Sequence, residues 1–130
     1  MTSDVRTARG GSRAVQLTLR SAITLQAALV LVQAVTAGQI LTGAAAGVHQ
    51  TGATALHVVA LVQLIAAVLL WRPGGGPGWP ALASLVVMVA GFMQSATGGM
   101  GNLAVHVPLG MTVFGLAVAL LVWTWRPAAR

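Results

Sequence analysis

Residues 52–72, GATALHVVALVQLIAAVLLWR, carry no formal charge until the last position and close on Trp71-Arg72-Pro73. At 1.5 Å per residue, a helix of this length crosses a hydrocarbon core of about 30 Å. Near its start stands one imidazole, His57, where lipid tolerates few ionisable groups. Three more apolar segments surround this one: residues 21–42, about 81–97 and about 103–125. The expectation is an all-α integral membrane protein, a four-helix up-down bundle with short connections.

Composition agrees. Of 130 residues, 57% are hydrophobic and 6% charged, against roughly a quarter charged in a soluble domain. The absence of cysteine excludes disulfides, thiolate metal sites and thiol redox chemistry. The net charge of +6 is not a nucleic-acid signal, because the arginines sit beside the crossings rather than on one soluble face. The expected solvent and partner is a lipid bilayer.

Working outward, residues 1–20 (MTSDVRTARGGSRAVQLTLR) hold four arginines and read as a cytoplasmic arm, disordered to about residue 12. Residues 21–42 read as the first crossing. Val35-Thr36-Ala37 after an apolar core also resembles a signal-peptidase site, but a retained helix is the reading taken. GAAAGVHQTG (43–52) reads as a small-residue turn, which makes His49 a loop histidine. RPGGGPGWP (72–80) breaks helix and strand alike, and GGMGN (98–102) makes the last loop. The domains are therefore the 1–20 arm, the 21–125 transmembrane bundle and a 126–130 cytoplasmic tail.

In a four-crossing chain, every arginine falls at one end, and so do Trp71, Trp79, Trp123 and Trp125. The positive-inside rule makes that end cytoplasmic, with both termini there, and indoles anchor at such interfaces. The expected location is the plasma membrane. His49, His57 and His106 fall toward the outer end. A weak repeat, Gln39-Ile40-Leu41-Thr42-Gly43 against Gln94-Ser95-Ala96-Thr97-Gly98, is followed in each case by Trp-Arg-Pro (Trp71 and Trp125). Two parallel-repeat hairpins result, with the second and fourth helices equivalent.

Counting from the arginines, His57 lies roughly 22 Å above Arg72 and His106 roughly 30 Å above Arg126. Two imidazoles on facing helices are a common means of holding haem iron in a bundle. Small neighbours suit a flat macrocycle: Ala53, Ala60 and Leu64 share the face of His57, with Thr54 on its flank. Asn102, Gly110, Val113 and Ala117 share the face of His106. The competing reading is ordinary close helix packing, which uses the same small residues. His49 is either an unligated loop residue, a substitute for His57, or a partner for a propionate. Gln26 and Gln33 are placed to hydrogen-bond across the bundle or serve a cofactor. Met88, Met93, Met100 and Met111 read mostly as core fillers, with Met93 or Met111 as an alternative axial ligand, and Pro108 is an expected kink.

The run from Gln33 through Gly38-Gln39-x-Leu41-Thr42-Gly43 to Leu56-His57, with Leu103-Ala104-Val105-His106 in the second hairpin, resembles one half of the haem A synthase family. It also resembles small bacterial four-helix membrane proteins. The resemblance implies a b-type haem, with iron held by His57 and His106. The chain lacks the second half-bundle and the acidic residue near the first ligand, so it implies electron transfer rather than an enzyme in its own right. The expected role is a small b-type cytochrome or haem-carrying subunit, with a redox partner, a larger membrane complex or a second copy as partners. The alternative is a cofactor-free accessory or assembly subunit. A proton-coupled exporter would need a membrane carboxylate, and no Asp or Glu lies in any crossing.

Overall fold

A computed structural model describes the backbone of residues 2–126 and the side chains of residues 13–126. Four helices follow in order: α1 (Thr2–Leu41), α2 (Gly47–Trp71), α3 (Trp79–Gly99) and α4 (Leu103–Thr124). Neighbours pack in a ring, α1 on α2, α2 on α3, α3 on α4 and α4 back on α1. Helices α2 and α4 therefore face each other across a diagonal, as the two hairpins require.

The buried positions recur at helical spacing. In α1 they are Leu19, Ala22, Ile23, Gln26, Ala27, Val30, Gln33 and Thr36. Ala60, Gln63, Ala66 and Ala67 serve α2, Ser84, Val87 and Ala90 serve α3, and Val113, Ala117 and Leu120 serve α4. This inner seam is rich in alanine. Many large apolar side chains point outward: Leu25, Leu31, Ile65, Val89, Phe92 and Val107 are all exposed. A helix apolar on every side cannot face water on any of them. Each of the four helices is also long and apolar enough to cross a bilayer. The protein is a multi-pass membrane helical bundle.

Loop chemistry explains the boundaries. Beyond α2, the Gly74 and Gly76 amides donate to the Leu69 and Leu70 carbonyls, with Gly75 between them at φ +70°. Those bonds satisfy carbonyls that the end of α2 leaves without intrahelical partners. Pro80 occupies the first turn of α3, where its missing N–H costs nothing. Asn102 caps α4 by accepting from the Val105 amide at 3.3 Å.

At the arginine end the indoles tie the ring together. Trp79 meets Trp123 edge-on at 4.6 Å. Trp125 Nε1 donates to Thr24 Oγ1 at 3.1 Å, and the Arg20 guanidinium lies 5.4 Å from the Trp125 ring.

Two boundaries differ from expectation. The arm at residues 1–20 is not a separate element: α1 is one helix from Thr2, and its buried seam already begins at Leu19. The second difference concerns His49, which is not in a loop. Helix α2 starts at Gly47, so only 42–46 connect the first two helices. Pro108 lies inside α4, which runs through it uninterrupted. Of the tail, Arg126 is described, and residues 127–130 lie outside the described residues.

Candidate functional site

The end of the bundle away from the arginines gathers imidazoles, amides and hydroxyls. His49, now in the first turn of α2, and His106, in the first turns of α4, meet across the diagonal. Their ring centres are 6.4 Å apart and the rings are tilted by 58°.

Each ring is held through Nδ1 by the helix preceding its own. His106 Nδ1 is 2.7 Å from the Gln94 carbonyl oxygen in α3. A carbonyl only accepts, so Nδ1 carries the hydrogen, and neutral His106 has its lone pair on Nε2. His49 Nδ1 is 3.0 Å from Thr36 Oγ1 in α1. Thr36 Oγ1 is also 3.1 Å from the Gln33 carbonyl oxygen and 3.2 Å from Gln33 Oε1. If the single Thr36 proton goes to Gln33, Nδ1–H of His49 donates to Oγ1 and Nε2 holds the lone pair; if Thr36 donates to Nδ1, the hydrogen sits on Nε2. Gln33 Nε2 donates to the His49 carbonyl at 3.0 Å, which fixes the start of α2 against α1. No hydrogen bond within the described residues engages either Nε2.

Glycines make this closeness possible. A Cβ on Gly98 would stand 2.7 Å from His106 Nδ1, and one on Gly52 would stand 3.0 Å from Gln33 Oε1. Both contacts are tighter than ordinary van der Waals packing permits.

His57 has a different setting. Its ring stacks on Phe92 of α3, with centres 4.1 Å apart and planes 8° from parallel. Its Nε2 lies 3.4 Å from Ser95 Oγ. The structure therefore brings His49 to His106 and turns His57 toward α3. The small residues named with them divide as well. Ala60, Val113 and Ala117 are buried in the central seam, while Ala53 and Gly110 are half-buried nearer the histidine end. The space beside Gly110 is taken by the Gln94 amide, since a Cβ there would stand 2.5 Å from Nε2. Met93 and Met111 lie exposed on the outer surface of the bundle.

Thr36, Gln94, Ser95, Phe92 and Gly98 carry this geometry without having been singled out as site residues. A signal for two of them was present. Gln33-Ala34-Val35-Thr36 and Gln94-Ser95-Ala96-Thr97 are both Gln-x-x-Thr, each on the helix before a histidine. The repeat that matters for the imidazoles pairs Gln94 with Gln33, not with Gln39.

Comparison with family models, with curated proteins and with solved structures finds no match to this chain.

Proposed function

We propose that the protein is a haem-binding membrane protein, a small b-type cytochrome or haem-carrying subunit acting in one-electron transfer, and that His49 and His106 are the residues that would hold its iron. The observation that carries the reading is the 6.4 Å ring separation, with both Nδ1 atoms committed. Two imidazoles that bind one ion from opposite sides have their centres about 6 Å apart when metal–nitrogen bonds are about 2.0 Å.

The donor set fits haem better than a bare ion. Among the described residues, no three His, Cys, Asp or Glu come together as a metal cluster. A bare zinc or copper ion would be left short of protein ligands. Haem iron brings four ring nitrogens of its own and asks the protein for two axial ligands. An Nδ1–H donated to a carbonyl or hydroxyl orients the ring and raises the basicity of the remaining nitrogen, the usual outer support of a metal-bound histidine.

The group would supply one-electron chemistry, and the chain does the rest. The Gln94 carbonyl holds His106 in one tautomer, and Thr36 anchors His49 through Nδ1. Gln33 ties the first turn of α2 to α1. The apolar outer surfaces place the pair at one end of a bilayer-spanning bundle. With the arginine end and both termini cytoplasmic, by the positive-inside rule, the pair lies at the outer side of the plasma membrane. A C-terminal reporter active only in the periplasm would contradict that orientation.

One feature supports a second reading, a cofactor-free accessory subunit. The Gln94 amide beside Gly110 and the Phe92 ring on His57 fill space that a plate between His57 and His106 would need. That crowding weighs against a haem between His57 and His106 and is the reason the His49–His106 pair is proposed instead.

The visible spectrum of detergent-purified protein, titrated with haem and then reduced with dithionite, separates the two readings. Sharp α and β bands at one haem per chain are expected. A preparation that stays colourless after titration favours the accessory subunit.

A further inference from the structure

A second polar feature lies deep in the bundle and takes no part in the imidazole site. Gln63 of α2 is 1% exposed and Gln26 of α1 is 3% exposed. Gln63 Nε2 donates to Ser84 Oγ of α3 at 3.0 Å, but Gln63 Oε1 has no partner, and neither has Gln26 Oε1. Gln63 stands nine residues before Arg72, so it lies roughly 13 Å into the membrane, close to the middle of a 30 Å core. An unpaired buried acceptor costs about 1–3 kcal/mol, and no lipid group can relieve it.

Turning the amide does not help. With Oε1 accepting from the Ser84 hydroxyl, Nε2 becomes the orphan instead, because one serine cannot answer both ends of an amide. The site needs a third party. The same two helices bury several small residues, Ala60, Ala66 and Ala67 on α2 and Ala81 and Ala90 on α3. We propose that the Gln63–Ser84 pair and Gln26 are internal water-binding sites in the middle of the bundle, each amide oxygen accepting from one bound water. The ligand class follows from the groups: acceptor oxygens call for a hydrogen-bond donor, and the closed interior around two side chains no more than 3% exposed keeps it small. A cation is the poorer match, because no carboxylate lies in any crossing to offset its burial. Ordered waters typically bond to buried polar groups that no protein atom satisfies.

The test uses the full chain, isotopically labelled in lipid bilayers, and measures magnetisation transfer from water by solid-state NMR. The Gln63 side-chain amide and Ser84 are expected to receive water signal at rates like exposed Asn102, while Ala66 and Ala67 next to them receive little. Gln63→Leu, which keeps the volume and removes the acceptor, should abolish transfer to Ser84 with helicity unchanged. Should that variant fail to fold, the wild-type rates at Gln63, Ser84 and Gln26 decide the matter alone. Rates as slow as those of Ala66 would overturn the proposal. Replacing sodium by choline is expected to leave the Gln63 and Gln26 signals in place; a sodium-dependent shift would overturn it in favour of a cation.

Discussion

His49 and His57 lie eight residues apart on the same helix, yet the bundle uses them differently. His49 engages Thr36 through Nδ1 and has its ring 6.4 Å from that of His106. His57 directs Nε2 at Ser95 and lays its face on Phe92. Eight residues turn a helix by roughly 80° beyond two full turns, enough to move a side chain from the diagonal to the α3 interface. What separates a candidate ligand from a packing residue here is which nitrogen the neighbours occupy.

The largest effect should come from the residue that completes the pair. His106→Ala is expected to lower the haem-to-protein ratio by about tenfold or more, since loss of outer support alone costs 10–100-fold at metal sites. Normal occupancy in that variant would remove α4 from the site.

Two glycines test the comparison next. Gly98→Ala brings a Cβ to 2.7 Å from His106 Nδ1, whereas Gly91→Ala brings one no nearer than 3.9 Å to His57. Gly98→Ala should displace the His106 ring from the Gln94 carbonyl and destabilise the fold by about 1–3 kcal/mol. Gly91→Ala should be neutral, or stabilising by up to about 1 kcal/mol through helix propensity. Unfolding in detergent, read beside haem content, measures both. Equal effects would mean that the two imidazoles are equally free to move.

A smaller effect is expected from Thr36→Val, which keeps the shape and removes the hydroxyl beside His49 Nδ1. Haem affinity should fall by about tenfold, with little change in folding. An unchanged affinity would show that Thr36 does not orient the ring.

The fold was legible because lipid imposes a simple rule: long uncharged runs span, and arginine, proline and glycine mark the ends. The start of α2 was not legible. GAAAGVHQTG looks like a turn from composition, and only the Gln33 side chain on the His49 carbonyl shows α1 holding that turn as helix. His106 was legible as a histidine at this end of α4. Which imidazole lies beside it was not, because counting residues gives depth along a helix but not direction around it. Direction is set by packing, here by Gly98 opening space for His106 and by Phe92 covering His57. The buried amides were visible only in part: Gln26 stood out on α1, whereas Gln63 was hidden in an apolar run.

The choice of axial partner can be measured directly, by comparing reduced-minus-oxidised visible spectra of wild-type, His49→Ala and His57→Ala protein after haem titration. The expected result is loss of the sharp low-spin bands in His49→Ala and their retention in His57→Ala, which should lose only about 0.5–1.5 kcal/mol of stability with its Phe92 stack. Low-spin bands that survive in His49→Ala and vanish in His57→Ala would contradict the pairing across the diagonal.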